Sequence, residues 1–264
     1  MTALGTGLVS WREQAPAVAA VLRRGRDQPA LVVSLTDEEL LCLDGDRPPT
    51  AAPTPWLDGL SRHERTVAAK AALRSLAAHD HVLLVPEDGG DVRVTVPPAL
   101  AAVLAMRRCA SAVVVAEQRS GDLRRHRVLH VQGEHGVLEE DVNPGGLHRF
   151  TSCTLEAALT ALRVWCDPAG AAGPVDEPVR SATLAELAAG GELAQHLAQA
   201  VVVTVVGAVT SGGGDAAPDA RLSVYGFDSH VAVGVARTDG SRTTDVVPVD
   251  AAGLEQRLTA LLRP

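Results

Sequence analysis

The sequence predicts an α+β protein of two pseudo-symmetric halves, each a helix, an antiparallel sheet and a closing helix, with a winged-helix-like segment in the N-terminal half. Two observations predict it. The first is an internal duplication: TLEAALTALR at 154–163 returns as GLEQRLTALL at 253–262, and both place leucines at i, i+4 and i+7, one apolar stripe on a helix. Upstream of each closing helix the same order recurs, Leu100-Ala101 and Leu104-Ala105 before AVVV at 112–115, and Leu193-Ala194 and Leu197-Ala198 before AVVV at 200–203. The second is a helix, two short strands and another helix ahead of the first copy.

In the first copy the apolar runs predict strands at 112–118, 127–133 and 136–142, turning at Gly133-Glu134-His135-Gly136. The second predicts strands at 200–209, 221–227 and 230–237, with an extra one near 243–249 and a turn at Asp239-Gly240. It is longer mainly through the loop 210–220, whose Gly212-Gly213-Gly214 reads as a flexible connector. In the N-terminal segment Ser61 and Glu64 form a capping box for a helix reaching His79. Two strands follow, 82–86 and 92–97, around Glu87-Asp88-Gly89-Gly90, and Pro97-Pro98 opens a helix ending near Arg108. Residues 30–43 read either as a strand and short helix or as a hairpin, and 46–55 as a Pro-rich loop. The halves are therefore expected at 1–166 and 179–264, joined by a Gly-, Ala- and Pro-rich linker at 167–178.

Composition bounds the function. The chain has 264 residues, 46% hydrophobic, and a net charge of -8, which argues against a dedicated nucleic-acid binder because phosphate neutralisation supplies most non-specific affinity. No apolar run reaches the roughly 18 to 20 residues of a membrane helix, and residues 1–12 lack the pattern of an export signal, so a cytoplasmic location is expected. Cys42, Cys109, Cys153 and Cys166 lie far apart and read as reduced thiols. Lys70 is the sole lysine among many arginines, the residue usage of a high-GC coding sequence.

Catalytic motifs are not found. No glycine pattern suits a phosphate, and there is no GxSxG or HExxH. His126, His130, His135 and His148, beside Glu134, Glu139, Glu140 and Asp141, make the best metal candidate, yet their spacing matches no zinc frame. Asp245, Asp250 and His230 read as dispersed surface groups rather than an acid–base set. No enzyme activity, metal or cofactor is expected. Arginines 107, 108, 119, 124, 125 and 127 outnumber Glu117 and Asp122, which with the winged-helix order raises a DNA-binding transcriptional regulator as the alternative. A hairpin surface around Arg124 and Arg125 for an acidic protein partner, or simple solubility, is the preferred reading.

Several stretches together carry a family resemblance: LTDEELLCL at 35–43, HERTVAAKAALRSLAAHD at 63–80, PPALAAVLAMRR at 97–108, and the two copies ending at Leu162 and Leu261. In this pattern the chain resembles the EspG family of type VII (ESX) secretion-associated proteins of actinobacteria. The resemblance implies a cytosolic, non-enzymatic chaperone that binds a helical secreted protein, such as a PE–PPE dimer, through an apolar strip with a polar rim. Leu184, Leu187, Leu193 and Leu197, interrupted by Gly190-Gly191, offer such a strip.

Overall fold

A computed structural model describes residues 11–45, 50–86, 92–174, 177–210, 220–237 and 241–262. The architecture is α+β, with a large antiparallel sheet and eight α-helices among the described residues. The expected turn at Glu87-Asp88-Gly89-Gly90, the connector Gly212-Gly213-Gly214, the turn at Asp239-Gly240, and part of the Pro-rich loop and of the linker lie outside the described residues. Two compact units emerge, one from residues 1–111 and 128–155, the other from 112–127 and 156–264.

In the first unit, local sequence sets the sharpest boundary where a strand passes directly into a helix. β1 (Ala30–Thr36) ends on Thr36, whose hydroxyl accepts from the Glu39 amide while the Glu39 carboxylate accepts from the Thr36 amide, so two otherwise orphaned donors at the start of α2 (Asp37–Asp44) are satisfied. This settles 30–43 as a strand and short helix. α1 (Trp11–Arg24), which no sequence pattern announced, precedes them. α3 (Arg62–Ala78) starts at the expected Ser61–Glu64 box, β2 (Leu83–Pro86) pairs antiparallel with β3 (Val92–Thr95), and α4 (Pro98–Arg108) follows. The core joins Val18, Val21 and Leu22 of α1 to Leu35, Leu40, Leu43, Leu76, Leu100, Leu104, Met106, Leu138 and Phe150.

The strands expected at 112–118, 127–133 and 136–142 appear as β4 (Ala112–Ser120), β5 (Leu123–Val131) and β6 (Val137–Val142). A fourth, β7 (Leu147–Cys153), was not expected: its inward positions include the polar His148 and Ser152, which break the apolar alternation that marks a strand. β7 lies between β1 and β6, antiparallel to both. α5 (Leu155–Cys166) comes next. β5 is divided between the units, its residues 123–127 counted in the second and 128–131 in the first.

In the second unit the strand order is β4-β9-β10-β11-β12-β8, antiparallel throughout, with β8 (Arg180–Thr183), β9 (Val202–Thr210), β10 (Ala220–Gly226), β11 (Val231–Ala236) and β12 (Thr243–Val249). The sequence suggested only a helix near β8. Thr183 and Glu186 form another capping box, opening α6 (Leu184–Ala188), and Gly190, at φ +74°, ends it before α7 (Glu192–Leu197). α8 (Ala251–Ala260) is capped by Asp250. No helix among the described residues is long and apolar enough to cross a membrane.

Candidate functional site

The first unit buries a polar network where the sequence placed a histidine cluster. The Glu140 carboxylate accepts from the Arg107 guanidinium through Nε and Nη2 (3.1 Å each) and makes 2.7 Å contacts to His130 Nε2 and His148 Nδ1. His148 Nε2 reaches Asp37 Oδ1 at 2.6 Å, and Asp37 Oδ2 also accepts from the backbone amides of Trp56 and Leu57. Arg107 donates further to Asp44 and Thr50, and Arg108 bonds Asp44 as well. With both imidazole nitrogens against carboxylates, His148 is held as an imidazolium. Arg107, Arg108 and His148 then balance Asp37, Asp44 and Glu140.

Burial by itself would push the Glu140 carboxyl up, but the Arg107 charge and the two imidazole hydrogen bonds outweigh it and hold the group well below the carboxylate range. Burial likewise opposes the charged form of His148, and the hydrogen bonds to Asp37 and Glu140 overcome it, raising its pKa. Thus three residues of the expected metal candidate, His130, Glu140 and His148, do meet, but both oxygens of the Glu140 carboxylate are already engaged by Arg107. Of the rest, Glu134 and His135 are exposed, and His126 sits 3.9 Å from Glu117. The network joins α2, α4, β5, β6 and β7, so its chemistry is that of a register lock. Asp37 escaped the sequence reading, and Arg107 entered it only as one of an arginine-rich stretch, because their partners lie far away along the chain.

In the second unit, Leu193 is buried, and Leu187 and Leu197 pack on a small core of Ala182, Phe227, Ala232 and Val246; Leu184 is 58% exposed. Three of the four strip leucines therefore hold α6 and α7 down on the sheet. A cleft of about 380 Å³, lined by Arg180, Ala182, Leu187 and Leu193 among others, runs beside them. Farther along the same sheet face, over β4 and β9, the described residues leave an apolar patch open. Val113 lies opposite Val209, Val115 opposite Gly207 and Glu117 opposite Val205. Val205 is 41% and Val209 61% exposed, while Val113 and Val115 are half-buried. Arg119 and Arg221 border the patch. Sequence reasoning missed it because both faces of β9 are apolar, the pattern of a strand covered on both sides.

Arg124 and Arg125 are exposed near the tip of the β4–β5 hairpin. Their neighbours in the arginine-rich stretch are engaged: Arg107 and Arg108 in the network, Arg119 on Glu117 at 2.6 Å, and Arg127 over the Trp165 ring at 5.5 Å. Asp245 pairs with Arg237 and Ser181, and Asp250 caps α8, so neither joins His230. Among known proteins, no family model matches the chain and no curated protein matches it.

Proposed function

We propose that the protein is a non-enzymatic cytoplasmic chaperone or adaptor that binds a helical secreted client of a type VII (ESX) system, as its resemblance to the EspG family implies, and that the client docks on the open valine face of β4 and β9. The observation that carries this reading is the exposure of Val205 and Val209 beside Val113 and Val115, an apolar strip with a charged rim. Beta-branched side chains make it shallow and stiff, suited to the apolar stripe of an amphipathic helix. Arg221, with Arg124 and Arg125 on the adjoining hairpin, favours acidic flanks on that helix.

A duplicated fold belongs to the same reading. Its support is a strand ending in a Thr-x-x-Glu capping box that opens a helix, followed by a further helix, four strands and a closing helix, met twice. The first set is β1 and α2, then, after the insertion of α3, β2 and β3, α4, β4–β7 and α5; the second is β8 and α6, then directly α7, β9–β12 and α8. In each set the leading strand pairs with the last of the four, β1 with β7 and β8 with β12. The winged-helix alternative finds less support, because α4 is buried from Leu100 through Arg107 and has little free surface to enter a groove.

The test is affinity capture from the native cytosol after nuclease treatment, comparing the parent with the double substitution Val205→Asp, Val209→Asp. Both side chains are exposed, so the variant is expected to fold. A small helical secreted protein held in near-equal amounts by the parent and lost by the variant is the expected result. Equal retention by the variant would remove the valine face from the mechanism, and recovery of nuclease-sensitive DNA would favour the regulator.

A further inference from the structure

We propose that Glu177, His196 and His230 form a binding site for a divalent transition-metal ion of the zinc type. The three come from separate elements of the second unit: Glu177 from the segment before β8, His196 from the last turn of α7, and His230 from the turn between β10 and β11. One ligand atom of each lies within 4.8 Å of the other two. Two imidazoles and a carboxylate are the donor set of a zinc site that keeps its fourth position for water.

The geometry of His230 points to a ligand rather than to a plain polar cluster. Its side chain is 8% exposed, and Nε2 is buried without a hydrogen-bond partner. The nearest carboxylate oxygen, Glu177 Oε2, is 3.8 Å away, too far for a hydrogen bond. The other ring nitrogen, Nδ1, lies 3.2 Å from Ser229 Oγ. With the proton on Nδ1 donated to that hydroxyl, Nε2 presents its lone pair to the space shared with Glu177 and His196, the arrangement by which an outer partner sets the tautomer of a metal-binding histidine.

The imidazoles are also held in place. The Phe227 ring stacks on His230 at 4.5 Å and 11° and on His196 at 4.9 Å and 22°. The Phe227 amide donates to the His230 carbonyl at 2.9 Å, closing the turn that carries His230. Bonds of about 2.0 to 2.1 Å in a tetrahedron bring donor atoms to about 3.4 Å from one another. Contraction of order 1 Å is therefore needed, and Glu177, the exposed member, has the rotamer freedom to supply much of it. A bound ion would fasten the segment around Glu177 to α7 and to the β10–β11 turn, with one coordination position open to solvent.

The experiment uses the full chain, stripped with a chelator and dialysed. Zn²⁺ is titrated by calorimetry, and Co²⁺ is followed by the visible absorption of its tetrahedral form. The expected result is one equivalent bound, a rise in melting temperature with Zn²⁺, and affinity weakened at least about tenfold by His196→Gln and by His230→Gln. His126→Gln, which removes an imidazole outside the cluster, should leave binding unchanged. His196→Gln is the primary variant because His196 is half-buried and its loss should spare the fold, checked by circular dichroism. No stoichiometric uptake by the parent, or parental affinity in His196→Gln, overturns the site.

Discussion

Arg107 and Glu140 are each almost wholly buried, so neither charge survives alone at low cost. Arg107→Met would leave Glu140 facing fewer donors, and a loss of about 3 to 5 kcal/mol in unfolding free energy is expected from urea denaturation. The pH dependence follows from two opposite shifts. Glu140 is more acidic folded than unfolded, so its contribution is present above its ordinary pKa of 4.5 and fades as pH falls below it. His148 is more basic folded than unfolded, so its contribution is full below its ordinary pKa of 6.5 and is lost as pH rises through the raised folded value. Urea midpoints measured against pH should therefore fall on both sides of the interval from 4.5 to 6.5, and His148→Gln should flatten the alkaline limb. At this scale the sequence was only partly legible. The histidine-rich stretch drew attention to His130 and His148, but Asp37 comes from a helix start more than a hundred positions away, and nothing local pairs it with His148.

At the level of elements, caps and tight glycines decide the boundaries. Thr36→Ala removes the hydroxyl that accepts from Glu39, and about 1 kcal/mol of stability should go with it in chemical denaturation. Gly146 and Gly121 both hold positive φ, +72° and +56°. A Cβ at Gly121 meets open space, whereas at Gly146 it would lie 2.7 Å from the Asp37 carboxylate and 2.8 Å from Trp56 Cβ. Gly121→Ala should thus cost about 1 kcal/mol of backbone strain, and Gly146→Ala clearly more, since it also displaces Asp37; parallel thermal melts of the two variants compare them. Capping boxes were readable because they are written within four residues. β7 was not, because its inward His148 depends on partners elsewhere in the unit. β8 was hidden beside the helix signal of α6, whose capping Thr183 is also the last residue of the strand.

For the molecule as a whole, the four cysteines sample both units. Cys42, Cys153 and Cys166 are buried and Cys109 is exposed. Burial raises the thiol of Cys42 to about 11 and that of Cys166 to about 12. A thiol reagent should therefore label Cys109 alone in the native protein, and mass spectrometry should find the other three only after unfolding. The class of fold was legible because the closing helices and the paired apolar runs repeat in order. The open face was not, since a sequence states that a strand is apolar on both sides without stating what covers each side. One pairing bears on how the chain is made: β4 takes β9 as its antiparallel neighbour, Ala112 against Thr210 through Arg119 against Val203. During vectorial synthesis β4 leaves the ribosome long before Val202 exists, and that edge, rich in valine, must wait without its strand partner, its amides and carbonyls open to pairing with another strand. The nascent chain is thus most exposed to wrong strand partners in that interval, and synonymous codons that slow translation between β4 and β9 would lengthen it.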